Sequence, residues 1–400
     1  MSSNHHLRYR VLCLVSYYLP GYKAGGPLRT ISNMVEHLED EFEFWIITRD
    51  RDLGDALSYP DLPVNQWISV GNASVYYISP DSLTLFGIAR LINDTPHDLL
   101  YLNSFFDAEF TIKPLLARFL GEIKTKPVVL APRGEFSEGA LKLKALKKRT
   151  YIALFKLFGL CKNIAWQASS VHEMNDILNV LPINKDVITL ALDLPAKISY
   201  QSSLFSENTP KKVGSVKLIF LSRISPMKNL AYALKVLSDV HVSVVFDIYG
   251  PLEDMKYWGL CEALIEKLPG NILCKYRGLV PPNEVRHVFS QYDLFLFPTQ
   301  GENYGHVIAE SLSVGTPVLI SDKTPWRHLI DDNLGQDVSL NNADEYVQFI
   351  NEIAQASSEE MNNIREKVKV SACERLMDPE VIDANKNLFL SAILQKAKLF

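Results

Sequence analysis

Sequence features that would place the chain in a membrane, in an oxidising compartment or on nucleic acid are missing. The five cysteines of the 400-residue chain are far apart and form no Cys-x-x-Cys pair, so we expect reduced, mostly buried thiols. No apolar run reaches the length of a membrane span, about 18 residues, and the first run, Val11 to Pro20, lacks an obvious signal-peptidase site nearby. The net charge of -5 gives no general attraction to nucleic acid. We therefore expect a cytoplasmic protein without a nucleic-acid partner.

Short apolar runs alternate with longer helical patterns through both halves of the chain. This rhythm is typical of buried parallel strands joined by crossover helices. The strands predicted are 9–17, 42–48, 75–79, 98–103, 127–131 and 164–168, then 216–222, 242–249, 272–276, 293–298 and 317–321. A polar stretch, residues 196–214, separates the two series as a predicted linker. The fold class is therefore predicted as α/β, with two Rossmann-like doubly wound domains, residues 1–195 and 215–375, facing a central cleft.

The most informative segment covers residues 297–322 and reads FPTQGENYGHVIAESLSVGTPVLISD. A predicted strand ends at Pro298, a polar loop follows, and a helix is expected from about Gly305 to Val314. Free backbone amides at the start of such a helix bind anions. Glu302 lies in the loop and Glu310 lies about two helical turns further on, so both carboxylates are candidates for one ligand site.

Two glutamates separated by seven residues in ENYGHVIAESLSVGTPV resemble the donor-site signature of family 4 glycosyltransferases. The resemblance extends over nearly the whole chain, with SRISPMKN at 222–229 and DIYGP at 247–251 matching further family turns. It implies a GT-B fold and a terminal helix, residues 376–400, that crosses back to the first domain. It also implies retaining transfer of a sugar from a UDP- or GDP-type nucleotide sugar to a hydroxyl acceptor. The usual setting is bacterial surface polysaccharide synthesis, with a glycan or lipid-linked acceptor.

The resemblance also assigns roles to individual residues. Arg223 and Lys228 would bind the diphosphate, since charge-assisted hydrogen bonds suit that group, while Glu302 would hold the donor sugar and Glu310 the ribose. Gly25 and Gly26 would approach the diphosphate because they have no side chains. The complete set of predicted donor-binding residues is Gly25, Gly26, Gly250, Asn303, Tyr304, Gly305, His306, Val307 and Glu310. Because cations and a helix dipole can balance the leaving group, we expect no metal and no cofactor, and we find no Asp-x-Asp metal motif near the end of a predicted strand.

The first half departs from the family pattern after its fourth predicted strand. Many relatives have a histidine there, whereas this chain has Asn103, which can hydrogen-bond a sugar hydroxyl but does not titrate near neutral pH. We include Asn103 with Glu302, Arg223 and Lys228 in the predicted catalytic set. Arg133 and Glu135, in the loop after the next strand, are candidates for the acceptor side, with a local ion pair as the alternative.

Residues 139–162 carry seven lysines and arginines and no acidic residue, interleaved with leucine, phenylalanine and tyrosine. Such a basic amphipathic helix can contact an anionic membrane or a lipid-linked diphosphate. The alternative is a core-facing helix with a solvated basic rim. The sequence does not decide between these two interpretations. They concern the binding partner of the protein, not the reaction that it catalyses.

Several other functions are compatible with parts of this sequence. A sugar-nucleotide epimerase of GT-B architecture and a noncatalytic sugar-nucleotide-binding protein would share the donor site. A phosphorylase would need a much longer chain and a lysine for pyridoxal phosphate. A dinucleotide-dependent oxidoreductase is disfavoured because no Gly-x-Gly-x-x-Gly follows the first strand.

Overall fold

The computed structural model describes residues 8–142, 144–197 and 211–397. These residues form two compact units. The first unit contains the described residues up to Lys197 together with those from Pro379 onwards, and the second contains the described residues between them. The predicted linker, 196–214, falls mostly outside the described residues.

The first unit alternates strands with helices, as its apolar runs predict. Its strands are β1 (Tyr9–Leu14), β2 (Phe42–Arg49), β3 (Trp67–Val70), β4 (Ala73–Ile78), β5 (Leu99–Asn103), β6 (Val128–Ala131), β7 (Ala165–Ala168) and β8 (Ile188–Leu190). Its helices in this part of the chain are α1 (Gly26–Leu38), α2 (Leu85–Asp94), α3 (Lys113–Phe119), α4 (Glu138–Lys142), α5 (Ala145–Leu157) and α6 (Val171–Val180).

The sheet of the first unit has the strand order β3-β4-β2-β1-β5-β6-β7-β8. Every neighbouring pair is parallel except β3 with β4. Successive residues of β1 point to opposite faces, so Val11 and Cys13 enter one apolar core while Leu12 and Leu14 enter the other. Burial on both faces explains why residues 11–14 of this strand form a continuous apolar run rather than an alternating one.

The second unit repeats this architecture with an entirely parallel sheet. Its strands are β9 (Ser215–Leu221), β10 (Ser243–Tyr249), β11 (Ile272–Gly278), β12 (Leu294–Phe297), β13 (Val318–Ser321) and β14 (Gly335–Val338). Its helices are α7 (Leu230–Ser238), α8 (Met255–Ile265), α9 (Val285–Ser290), α10 (His306–Ser313), α11 (Ala343–Gln355) and α12 (Ser358–Leu376). The strand order is β11-β10-β9-β12-β13-β14, and one apolar core extends around the sheet.

The last helix, α13 (Pro379–Ala397), packs against the first unit. Leu388 and Phe389 of α13 are buried in one of the two apolar cores of the first unit. The Phe389 ring lies 5.3 Å from the ring of Phe42 and 5.5 Å from that of Tyr101, both in edge-on geometry. Aromatic pairs of this kind add to the stabilisation from buried area. A helix that follows the second unit in sequence therefore completes the core of the first.

The structure differs from the sequence prediction in the basic segment. A single helix was expected within residues 139–162, but Lys144, with φ of 53°, lies in the left-handed region and separates α4 from α5. A left-handed residue cannot continue a right-handed helix. Within the part of the chain that is described, no helix is both long and apolar enough to cross a bilayer.

Candidate active site

The strand order reverses beside β1, whose neighbours are β2 and β5, and beside β9, whose neighbours are β10 and β12. In doubly wound sheets, the loops that leave the carboxyl ends of the strands diverge at such a point and open a crevice where ligands bind. In the first unit these loops follow β1 and β5. In the second unit they follow β9 and β12, and these two loops carry Lys228 and Glu302.

Backbone and side-chain hydrogen bonds join the loop after β9 to the loop after β12. Asn229, with φ of 62°, donates from Nδ2 to the carbonyl oxygen of Pro298 at 2.9 Å. The amide of Gln300 donates to the carbonyl oxygen of Met227 at 2.8 Å. The positions of Lys228 and Glu302 are therefore set by one hydrogen-bonded unit rather than by two independent loops.

Lys228 and Glu302 form an ion pair between Nζ and Oε1. Each side chain is only 12% exposed, so water screens this pair less than a surface pair. The Lys228 Nζ also lies 5.8 Å from the centre of the Phe297 ring, within range of a cation–π contact. The structure thus brings together a cation and a carboxylate separated by 74 positions in the sequence.

Arg223 has a different partner and a different environment. Its Nη1 lies 2.8 Å from Oε1 of Glu253, and both side chains are well exposed. Surface pairs of this kind contribute little to stability. The predicted contact between Arg223 and a diphosphate therefore stays a prediction, and it would require the arginine to leave or share Glu253.

Gly250 is required by the close packing of two strand ends. Its φ of 131° is unfavourable for other residues, and a Cβ built on it would lie 1.9 Å from the carbonyl oxygen of Ser222. Tyr276 also donates a hydrogen bond to the Gly250 carbonyl at 2.8 Å. This explains the glycine in structural terms, while its predicted role in donor binding remains untested.

The amino terminus of α10 is shaped by glycine and aromatic contacts. Gly305 precedes the helix with φ of 86°, and the helix start has no side-chain cap. Trp326 donates from Nε1 to the carbonyl oxygen of Tyr304 at 2.6 Å, and the Tyr304 ring lies 4.8 Å from the buried ring of His306. These contacts stabilise the conformation of the loop. Sequence reasoning missed Trp326, whose indole follows β13 and carried no motif signal.

The remaining predicted donor residues of this unit are close to that helix start. Asn303 lies in the loop before it, and Val307 and Glu310 lie in the first two turns of α10. All three are half-buried, and Val307 packs against the apolar core. The predicted donor contacts of these three residues stay predictions.

Gly25 and Gly26 lie at the start of α1, at the carboxyl edge of the first sheet. Gly25 has φ of 68°, and no atom lies within 4 Å of the position that its Cβ would occupy. The turn before it is held by the buried Asp52, which accepts hydrogen bonds from the amides of Tyr22 at 2.8 Å and Lys23 at 3.1 Å. The glycine turn is thus open on one side and anchored by a carboxylate.

Asp52 belongs to an Asp-x-Asp sequence that our sequence reasoning passed over. Asp50, Arg51 and Asp52 directly follow β2. Asp50 is bound by the Arg51 guanidinium at 2.8 Å, and Asp52 is occupied by backbone amides. Both carboxylates are buried and engaged within the chain. Among the described residues, no group of three histidine, cysteine, aspartate or glutamate side chains is arranged to hold a metal ion.

Arg133 lies at the centre of a buried polar cluster after β6. It adopts φ of 58°, forms an ion pair with Asp193, and donates from Nε to Oδ1 of Asn103 at 2.6 Å. The Asn103 Nδ2 is buried without a hydrogen-bond partner in the described part of the chain. Of the two readings left open for Arg133, this arrangement favours the local ion pair. Asn103 is therefore oriented by Arg133, and its amide group retains an unused donor.

Glu135 holds the loop that follows Asn103. It accepts hydrogen bonds from Ser104 Oγ at 2.7 Å and from the amides of Phe105 at 2.6 Å and Phe106 at 3.0 Å. Burial raises the pKa of Glu135, while these hydrogen bonds and the charge of Lys148 oppose the rise. Ser104 has φ of 127°, a conformation unfavourable for serine, which these contacts help to maintain.

Comparison with known protein families identifies the second unit. Residues 202–370 match the family model described as glycosyl transferases group 1. Most of the second unit is therefore similar in sequence to the group 1 glycosyltransferases. This group 1 domain contains the Lys228–Glu302 pair, the glycine turn at Gly250 and the start of α10.

A curated relative supports the same conclusion at low identity. The chain is 25% identical over 280 residues to an uncharacterised 41.2 kDa protein in the cps region of Klebsiella pneumoniae, covering 68% of this chain and 74% of the relative. The relative's own activity is not described. Its match extends beyond the group 1 domain, since 280 residues exceed the length of that domain.

Solved structures show how far the fold is shared. Sucrose-phosphate synthase from Thermosynechococcus elongatus has a TM-score of 0.69 at 15% identity, covering 98% of this chain and 100% of its own. Anabaena Alr3699/HepE, solved with UDP and glucose, has a TM-score of 0.68 at 13% identity, covering 96% and 99%. WaaG, a glycosyltransferase of lipopolysaccharide biosynthesis, has a TM-score of 0.62 at 15% identity, covering 94% and 98%. The GT-B fold prediction is thereby confirmed.

Proposed function

We propose that the chain is a retaining glycosyltransferase that moves a sugar from a UDP- or GDP-type nucleotide sugar to a hydroxyl acceptor. The observation that carries this proposal is the Lys228–Glu302 ion pair beside the start of α10 in the group 1 domain. A nucleotide sugar presents an anionic diphosphate next to a sugar rich in hydroxyls. An ammonium group suits the first part and a carboxylate suits the second.

The proposed division of labour follows the positions of these groups. Lys228 contacts the diphosphate, with Arg223 as a second cation at the same sheet edge. Backbone amides at the start of α10 add partial positive charge. Glu302 accepts hydrogen bonds from the donor sugar, and Glu310 accepts them from the ribose. As the glycosidic bond breaks, negative charge develops on the leaving diphosphate, and the preorganised cations stabilise it without a metal.

Retention of configuration at the sugar comes from the family 4 resemblance. The first unit is assigned to the acceptor, and Asn103 at its carboxyl edge is assigned to the reaction centre, where it donates a hydrogen bond to a hydroxyl of the donor sugar. The buried, unpartnered Nδ2 of Asn103 supports this assignment, because an unused donor in a protein interior is costly unless a ligand satisfies it. Arg133 and Glu135 orient Asn103 and its loop, and both are also assigned to the acceptor side.

Similar proteins suggest the substrate classes. Structures of Alr3699/HepE contain UDP and UDP-glucose, and WaaG is described as acting in lipopolysaccharide biosynthesis. The Klebsiella relative is placed in a cps region. We infer a UDP-sugar as the first donor to test and a glycan or lipid-linked intermediate of a surface polysaccharide as the acceptor. A lipid-linked acceptor would bring the protein to the inner face of a membrane, where residues 139–162 supply basic contacts.

The test is a screen of UDP- and GDP-sugars by thermal shift, followed by transfer assays with isolated glycans. A donor at a hundred times its dissociation constant raises the free energy of unfolding by about 2.7 kcal/mol. The enzyme is expected to release nucleoside diphosphate when acceptor is added, and NMR of the product should show the donor's anomeric configuration. Inversion would contradict the retaining mechanism.

Two alternatives give different results in the same experiment. A sugar-nucleotide epimerase would convert the donor into its epimer without any acceptor. A noncatalytic binding protein would be stabilised by the donor but would release no nucleotide with any acceptor tested. Both share the donor site, so transfer rather than binding separates them from the proposed function.

A further inference from the structure

The outward face of α5 is apolar, although it faces solvent. Tyr151, Ile152 and the fully buried Phe155 face the core of the first unit. On the opposite side, Leu146 is 80% exposed and Leu157 is 75% exposed. Single exposed leucines are common on protein surfaces. In α5, however, both the face that packs on the core and the face that contacts solvent are apolar.

The helix geometry aligns these leucines into a stripe. At about 100° per residue, Leu146, Ala153 and Leu157 fall within about 20° of one line along the helix, directly opposite Phe155. All three are exposed. Leu154, also exposed, widens the stripe on one side. The stripe therefore extends over the full length of α5.

The stripe continues onto the end of α3. The rings of Phe119 and Phe158 lie 5.7 Å apart, and both side chains are about half exposed. Leu120, next to Phe119, is also exposed. The ring contact makes these residues one continuous surface with Leu157. We call Leu146, Leu154, Leu157, Phe158, Phe119 and Leu120 the apolar stripe.

Basic residues border the apolar stripe on both sides. Arg149 and Lys156 lie on one flank of α5 and Lys147 on the other, and all three are exposed. No acidic residue occurs between residues 139 and 162. An apolar centre with a cationic rim is complementary to a membrane surface. The apolar side chains can contact the acyl chains, and the basic side chains can contact the anionic headgroups.

We propose that the apolar stripe inserts into the interfacial region of an anionic lipid bilayer. This inference deepens the membrane contact of the proposed function, since it adds insertion by named side chains to the attraction of the basic segment. Insertion and electrostatic adsorption differ in their response to salt. Salt screens the contacts of Lys147, Arg149 and Lys156, but it does not weaken burial of Leu146 and Leu157.

The test is sedimentation of the full chain with vesicles of phosphatidylcholine alone or mixed with phosphatidylglycerol, at low and high salt. The wild type should favour the anionic vesicles and keep part of its binding at high salt. The double variant Leu146→Ser with Leu157→Ser should bind at least about tenfold more weakly at both salt concentrations, because it removes apolar side chains that the bilayer would bury. The variant Lys147→Gln with Lys156→Gln should lose binding mainly at low salt.

A matched control is Leu260→Ser with Leu273→Ser, two exposed leucines of the second unit. This control should bind vesicles as the wild type does. A second readout uses Leu157→Trp, whose fluorescence should be quenched by brominated acyl chains. The proposal is overturned if the double leucine variant binds like the wild type, or if high salt abolishes all binding. It is also overturned if the leucine substitutions convert a dimer to a monomer, because the stripe would then be an interface between two copies.

Vesicle binding needs neither donor nor acceptor. If the chain does not bind vesicles, the glycosyltransferase proposal is therefore unaffected. If no sugar transfer is found, the vesicle experiment still tests the membrane proposal.

Discussion

Substitution of Lys228 by alanine should weaken binding of a nucleoside diphosphate roughly 10- to 100-fold. Hydrogen bonds to a charged group contribute about 1.5–3 kcal/mol, and each 1.4 kcal/mol is about tenfold in affinity. Because Lys228 is only 12% exposed, solvent screening reduces this estimate less than at the surface. The product nucleotide is a suitable ligand, since it carries the diphosphate without the sugar.

Glu302→Gln should have the opposite effect on the same ligand. In the structure, the Glu302 carboxylate neutralises the Lys228 ammonium, so a diphosphate has to compete with it and is repelled by it. Glutamine keeps the shape and removes the charge. We expect nucleoside diphosphate to bind about fivefold more tightly, or about 1 kcal/mol, once this repulsion is gone. Sugar transfer should nevertheless fall, because glutamine is a weaker acceptor for the donor-sugar hydroxyls.

Calorimetry with UDP and GDP measures both effects on variants whose circular dichroism matches the wild type. Lys275→Ala, at an exposed position of the edge strand β11, is the control for a general loss of positive charge. If Lys228→Ala binds the nucleotide like the wild type, Lys228 does not contact the diphosphate. If Glu302→Gln weakens binding as much as Lys228→Ala does, the separation of roles within the pair is wrong.

Three further predictions follow from packing, charge burial and the expected chemistry. Gly250→Ala should lower the free energy of unfolding by more than about 2 kcal/mol in urea denaturation, because its Cβ would lie 1.9 Å from the Ser222 carbonyl oxygen; unchanged stability would contradict this packing. Arg133→Ala should cost about 3–5 kcal/mol by leaving Asp193 buried and unpaired, whereas Arg10→Ala, at an exposed ion pair, should cost less than about 1 kcal/mol. Transfer activity, once found, should survive EDTA; complete loss that manganese or magnesium restores would refute metal independence.

The sequence predicted the buried parallel strands well because their continuous apolar runs are a direct result of burial on both faces. It missed the short strands at sheet edges. β14 reads GQDV and has no apolar run, and β3 is a four-residue edge strand without a fully buried residue. β8, with three residues, is also too short for a pattern to appear. Their pairing depends on neighbouring strands rather than on their own sequences.

The donor loops show a similar limit. The rule for strand ends in parallel sheets predicted that Lys228 and Glu302 lie at the same sheet edge. It could not predict their direct ion pair, which depends on the side-chain geometry of two joined loops. The ion pair between Arg133 and Asp193 could not be predicted from the sequence, because Asp193 follows β8, a strand that the sequence pattern did not reveal. The structural role of Asp52 was missed for another reason. Its hydrogen-bond partners are backbone amides, and every residue except proline has one, so the residue types gave no signal.

The position of α13 has a consequence for synthesis on the ribosome. The second unit is continuous in sequence, whereas the first lacks Leu388 and Phe389 from its core until the chain has grown past residue 389. Domains usually fold in the order in which they emerge. Here the later unit can complete its core first, and the earlier one must wait with Phe42 and Tyr101 uncovered. A truncation after Asp378 should therefore aggregate through the first unit, although every residue that it removes lies beyond the second.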